Sequence, residues 1–102
     1  MKNNRIFEFR KTDHFLLQQW QRGIDDYIIR RVLSYVLVNN DQKTFIIASP
    51  QFLKEKVKLN KLDSLIVVIK GKVLITTYWA VDPEYLYKKE KNVELIFLQN
   101  QI

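Results

Sequence analysis

The sequence predicts an α+β domain in which an N-terminal strand and a helical hairpin pack on a mostly antiparallel sheet of about four strands. Three observations predict it. Helical spacing of apolar residues runs from His14 to Tyr35 and breaks only at Gly23. From Val36 onwards the spacing shifts towards two, and two runs rich in Ile, Val, Thr and aromatics flank Lys70-Gly71. Finally, 102 residues with 47% hydrophobic content suffice for one buried core but not comfortably for two, so residues 1–102 are read as a single domain.

Ile6, Phe7 and Phe9 alternate as a short strand ahead of the polar Lys11-Thr12-Asp13. Thr12 and Asp13 are N-cap candidates for a helix from His14 to Arg22, in which Leu16 and Trp20 share a face with Phe15 beside them. Gly23 stands in the C′ position that ends it. Asp25 or Asp26 opens a second helix, about Asp26 to Tyr35, striped by Ile28, Val32 and Tyr35 and widened by Ile29 and Leu33. Tyr35 to Val38 and Thr44 to Ala48 read as strands around the turn Asn39-Asn40-Asp41-Gln42. Ser49-Pro50 predicts a short helix, with Ser as N-cap and Pro first inside it. An extended segment, with Phe52, Lys54, Lys56 and Lys58 alternating against Leu53, Val57 and Leu59, is the competing reading. The clearest element is the hairpin Leu65–Ile69, Lys70-Gly71, Lys72–Trp79, whose near-continuous apolar arms predict central strands. Val93 to Leu98 closes the sheet.

Composition excludes several classes. There is no cysteine and only one histidine, so a disulfide framework, a thiolate nucleophile and a His-rich or Cys-based metal site are absent from the expectation. No Walker loop, dinucleotide fingerprint or HExxH motif occurs. Residues 1 to 11 (MKNNRIFEFRK) have no apolar run like that of a secretory signal, and no stretch of 18 apolar residues occurs, so no membrane partner and a cytoplasmic location are expected. No cofactor is expected.

Charge is the first functional hint. Seventeen Lys and Arg against eleven Asp and Glu leave a net +6, and the excess is local. Six lysines fall between Lys54 and Lys72 against Glu55 and Asp63, and seven basic residues lie between Lys2 and Arg31 against four acidic ones. Such a balance attracts polyanions, because phosphate neutralisation supplies most of the non-specific affinity for nucleic acid; it also simply keeps a small protein soluble. Lys54, Lys56 and Lys58, with Arg30 and Arg31, are the candidate nucleic-acid contacts.

Four residues are candidates for chemistry. His14 stands at a helix start, where backbone N–H groups favour an anion, a placement suited to a general base acting on a phosphate-bearing substrate. Arg22 follows eight residues later, near the same face, where a guanidinium clamps phosphate or simply complements the helix C-terminus. Thr76 and Tyr78 share one face of the second hairpin arm, with Thr77 and Trp79 on the other. Asp25-Asp26 looks like a carboxylate pair, but adjacent side chains diverge and helix capping accounts for them better.

Thr12-Asp13-His14, then Arg22-Gly23-Ile24-Asp25, then an apolar helix, then VVIKGKVLITTY from Val67 to Tyr78, is similar to a family of small bacterial domains related to the BrnT and RelE-type toxins, within the barnase–EndoU–colicin–RelE group of ribonucleases. The likeness spans roughly residues 10 to 80. It implies a RelE-like scaffold that cleaves RNA without metal and is neutralised by a cognate antitoxin. It further implies His14 as acid/base, Arg22 as phosphate stabiliser and Thr76 with Tyr78 as strand-end contacts, the ribose 2′-OH attacking the adjacent phosphate. The chain departs from that pattern in having no arginine after Arg31.

The leading expectation is therefore a metal-independent endoribonuclease of the toxin type. The alternative is a non-catalytic module on the same scaffold, binding nucleic acid or a target protein, with Val93 to Leu98 available to complete a homodimer. A basic inhibitor occupying another protein's nucleic-acid site is a third.

Overall fold

The computed structural model describes residues 9–37 and 41–99. In chain order these form β1 (Arg10–Lys11), α1 (Asp13–Gln21), α2 (Asp26–Leu33), β2 (Lys43–Ala48) and α3 (Pro50–Phe52), which runs into a π-helical turn, Leu53–Val57. There follow β3 (Ser64–Lys70), β4 (Val73–Ala80), α4 (Tyr85–Lys89) and β5 (Glu94–Leu98). The strands make one sheet in the order β1-β4-β3-β2-β5.

The predicted hairpin forms its centre. Lys70 pairs with Val73, so Gly71 and Lys72 are the loop, and Gly71 takes φ +62° at the first loop position, as a II′ turn requires. β3 is antiparallel to both β4 and β2, as expected. The outer pairings correct the prediction: β1 lies parallel to β4 and β5 parallel to β2, giving a five-stranded mixed sheet in place of a mostly antiparallel one of about four strands. Periodicity reports that a segment is extended; it says nothing about the direction in which that segment meets its neighbour.

Ile6 and Phe7 of the expected first strand lie outside the described residues, and the strand seen is Arg10–Lys11. It joins β4 through Arg10 N–H to the Lys72 carbonyl (2.8 Å), and Thr12 N–H continues to that of Leu74 (3.1 Å). Thr12 then turns the chain into α1. Its Oγ1 accepts from Phe15 N–H (3.0 Å) and donates to the carbonyl of Ile75 (3.1 Å), the residue left over at a bulge between the β3–β4 pairs. Gly23 closes α1 at φ +64° in a Schellman arrangement, with Gly23 N–H to Trp20 O (3.2 Å) and Ile24 N–H to Gln19 O (3.0 Å).

α1 buries only the Phe15 edge of its predicted apolar face. Phe15 is fully buried, whereas Leu16 and Trp20 are 48% and 78% exposed. The helix runs alongside β4, tied at its start to Ile75 and at its end by Trp79 Nε1–H to the Arg22 carbonyl (3.2 Å). A short helix laid along a strand touches it on one narrow line, and that line passes through Phe15.

α2 covers the sheet as its stripe predicts, burying Ile28, Ile29, Val32 and Leu33 against Ile46, Leu65, Val67 and Ile69. The expected strand from Tyr35 does not form: Ser34, Tyr35 and Val36 send their N–H groups back to Arg30, Val32 and Leu33, and Val38 lies outside the described residues. Ser49 caps α3, its Oγ accepting from Phe52 N–H at 3.1 Å, so the helical reading of Ser49-Pro50 holds and the extended one does not. The opposite sheet face carries Phe45, Ile47, Ile66 and Val68 under Leu86 of α4.

Candidate nucleic-acid interface

Tyr27, Arg31 and Tyr35 follow one another at intervals of four, so they stand in a column along one side of α2 and its continuing turn. All three are grounded on the segment around the π-helical turn. The Tyr27 hydroxyl donates to the Val57 carbonyl at 2.7 Å. The Arg31 guanidinium donates to the Lys56 carbonyl. The Tyr35 ring meets Phe52 edge-on, with centroids 5.0 Å apart, and Arg31 lies 5.8 Å from the Tyr35 centroid.

The turn itself is pinned by Leu53 and Val57, both fully buried, which drives Lys54, Glu55, Lys56 and Lys58 outwards. Lys58 ends it in the left-handed conformation at φ 65°, and Leu59 N–H returns to the Leu53 carbonyl (3.0 Å). Among the described residues no carboxylate pairs with Lys54, Lys56 or Lys58. Tyr27 and Tyr35, 52% and 43% exposed, and Arg31 between them thus border the turn from which Lys54, Glu55, Lys56 and Lys58 project. Arg30 points elsewhere: its Nε is held by Asp26 Oδ2 at 3.2 Å.

Neither tyrosine entered the sequence expectation as a functional residue. The signal was present in the spacing, since an aromatic four before and another four after an arginine place all three on one side of a helix. The apolar stripe of α2 claims Tyr35 instead.

The four residues expected to do chemistry do not meet. His14 is exposed on the first turn of α1, and its side chain makes no hydrogen bond or ion pair among the described residues. Arg22 lies at the other end of that helix, about 12 Å along the axis, with its Nε on Gln18 Oε1 (2.9 Å). Thr76 and Tyr78 pair with Val68 and Ile66 and so point from the sheet face beneath α4. Phe15 and α2 pack on the other face, with Trp79. Burial, then the 3.4 Å hydroxyl contact with Tyr85 and the nearby Glu90 carboxylate, push the Tyr78 phenol well above the usual tyrosine range, which keeps it neutral.

A groove of about 330 Å³ opens between α1 and α2, lined by Phe9, Leu16, Ile29 and Leu33 with Lys11, Asp26 and Arg30 at its polar side. Lys11 reaches from β1 to Gln19 Oε1 (2.9 Å) and to the Asp26 carboxylate. The Lys11 hydrogen bond, with Arg30 adding to it, holds the Asp26 carboxyl below the usual aspartate range against partial burial. Asp26 is thereby a fixed anion joining α2 to β1, unsuited to proton transfer near neutrality.

Among the described residues no three His, Cys, Asp or Glu side chains converge on a metal-sized site, and no helix is long and apolar enough to cross a membrane. No protein-family model, curated protein or solved structure matches this chain.

Proposed function

We propose that this chain is a nucleic-acid-binding module that holds single-stranded RNA without cleaving it. One observation carries this reading: the packing of the Tyr27–Arg31–Tyr35 column onto the lysine-bearing turn. Single-stranded nucleic acid is held by cations that follow its backbone and by aromatic rings on which bases stack. Both kinds of group stand here on one rigid support. The dispersal of His14, Arg22, Thr76 and Tyr78 over two helix ends and the far sheet face supplies no general base beside a phosphate clamp, and so favours binding over cleavage.

Fluorescence anisotropy of a labelled oligouridine of about 12 nucleotides tests the reading. With four phosphate contacts the logarithm of affinity falls with the logarithm of salt at a slope of about −3, and replacing Lys54, Lys56 and Lys58 by Ala brings that slope to about −1. The RNA stays intact in EDTA throughout. Cleavage by the wild type but not by His14→Ala would install the ribonuclease reading in its place. A salt slope unchanged by the triple replacement would move the interface elsewhere.

A further inference from the structure

The two edges of the sheet are finished differently. On one side β1 covers only the start of β4, and α1 continues along the rest. On the other side β5 is bare: among the described residues no strand pairs with its outer edge. The protective devices expected of an edge are nearly absent there, since Glu-Leu-Ile-Phe-Leu contains no proline, no bulge and one charge.

The direction of the free backbone groups follows from the inner pairing. Ser49 N–H donates to the Leu98 carbonyl at 3.1 Å, so that carbonyl faces β2. Backbone groups alternate sides along a strand, so those of Glu94 and Ile96 face β2 as well, and those of Leu95 and Phe97 face outwards.

We infer that this edge pairs with β5 of a second copy of the chain, antiparallel and centred on Ile96, to make a continuous ten-stranded sheet with two-fold symmetry. In that register the outward groups of Leu95 meet those of the partner's Phe97 and the reverse, a self-complementary exchange. Both side chains lie on the α4 face, where Tyr87 already stacks on Phe97 with centroids 5.4 Å apart, so the apolar surface runs on across the junction. On the other face Ile96 meets its own copy. Charge permits the approach. The excess positive charge of the chain lies elsewhere, and from Glu84 to Gln99 three lysines balance three glutamates. A second copy also closes the edge on both sides at once, which ends the assembly at two.

Sedimentation velocity of the full chain from micromolar to millimolar concentration tests the inference. The wild type is expected to reach twice its 12.3 kDa, with the amides of Leu95 and Phe97 becoming protected from hydrogen exchange as it does so. Leu95→Pro removes an outward N–H where an edge strand tolerates proline, and is expected to stay at monomer mass with an unchanged far-ultraviolet spectrum. Leu95→Lys, which puts a charge on the junction without altering the backbone, is expected to do the same and serves if the proline variant fails to fold. A wild type that remains monomeric at millimolar concentration overturns the inference. So does a dimer that survives in a folded Leu95 variant, or one that Trp20→Ala dissolves.

Discussion

The hydroxyl of Tyr27 donates a 2.7 Å hydrogen bond to the carbonyl of Val57, thirty residues along the chain. One turn further on, Arg31 does the same to Lys56. Together they seal a five-residue π-helical turn against α2, and so fix the backbone from which Lys54, Lys56 and, just past its end, Lys58 project. Tyr27→Phe removes one of these bonds while keeping the ring. It is expected to cost about 1 kcal/mol in urea unfolding, and to weaken oligouridine binding beyond what loss of a hydroxyl at the surface explains.

Lys58 separates folding from binding. Its φ of 65° is one that glycine adopts without the penalty a side chain carries. Lys58→Gly is expected to raise unfolding free energy by about 1 kcal/mol and to make the salt slope about 0.7 shallower. A variant at once more stable and weaker in binding is hard to explain by general damage.

Thr12 has two duties, capping α1 and satisfying the bulge carbonyl of Ile75. Thr12→Val keeps the shape and removes both bonds. A loss of about 1–2 kcal/mol is expected, read as a lower midpoint of thermal unfolding.

Trp20 and Phe15 test the orientation of α1. Phe15→Ala empties a fully buried position and is expected to cost about 3–5 kcal/mol, whereas Trp20→Ala, at 78% exposure, is expected to change stability by no more than about 0.5 kcal/mol. If Trp20 were the core residue that helical spacing suggests, the two costs would be alike.

Acid and alkali act on different anchors. The Asp26 carboxyl is held low by the Lys11 hydrogen bond, so its contribution to stability is complete above the ordinary aspartate value of about 4 and is lost as pH falls through the lower folded-state value. Asp26→Asn should flatten that acid limb. Tyr78 is shifted upwards by burial, so its contribution is complete below about pH 10 and is lost as pH rises beyond that. In a spectrophotometric titration a tyrosine step is expected above the ordinary tyrosine range, and Tyr78→Phe should remove it.

Much of the fold was legible because its causes are local. A hydroxyl three residues before an amide caps a helix, as at Thr12 and Ser49. Glycine relieves a left-handed turn, as at Gly23 and Gly71. A stripe at helical spacing places Ile28, Ile29, Val32 and Leu33 inward. These outcomes depend on atoms within a few residues of each other, so the sequence by itself determined them, along with the two apolar arms of the β3–β4 hairpin and the sign of the surface charge. Tertiary structure decided the rest. The parallel directions of β1 and β5 depend on where the chain has travelled between partners, and the choice of Phe15 over Trp20 depends on α1 lying beside β4. The meeting of Arg31 with Lys56, 25 residues apart, follows from burying Leu53 and Val57 beneath α2. No local rule encodes such a meeting, because its free energy comes from the whole core closing at once.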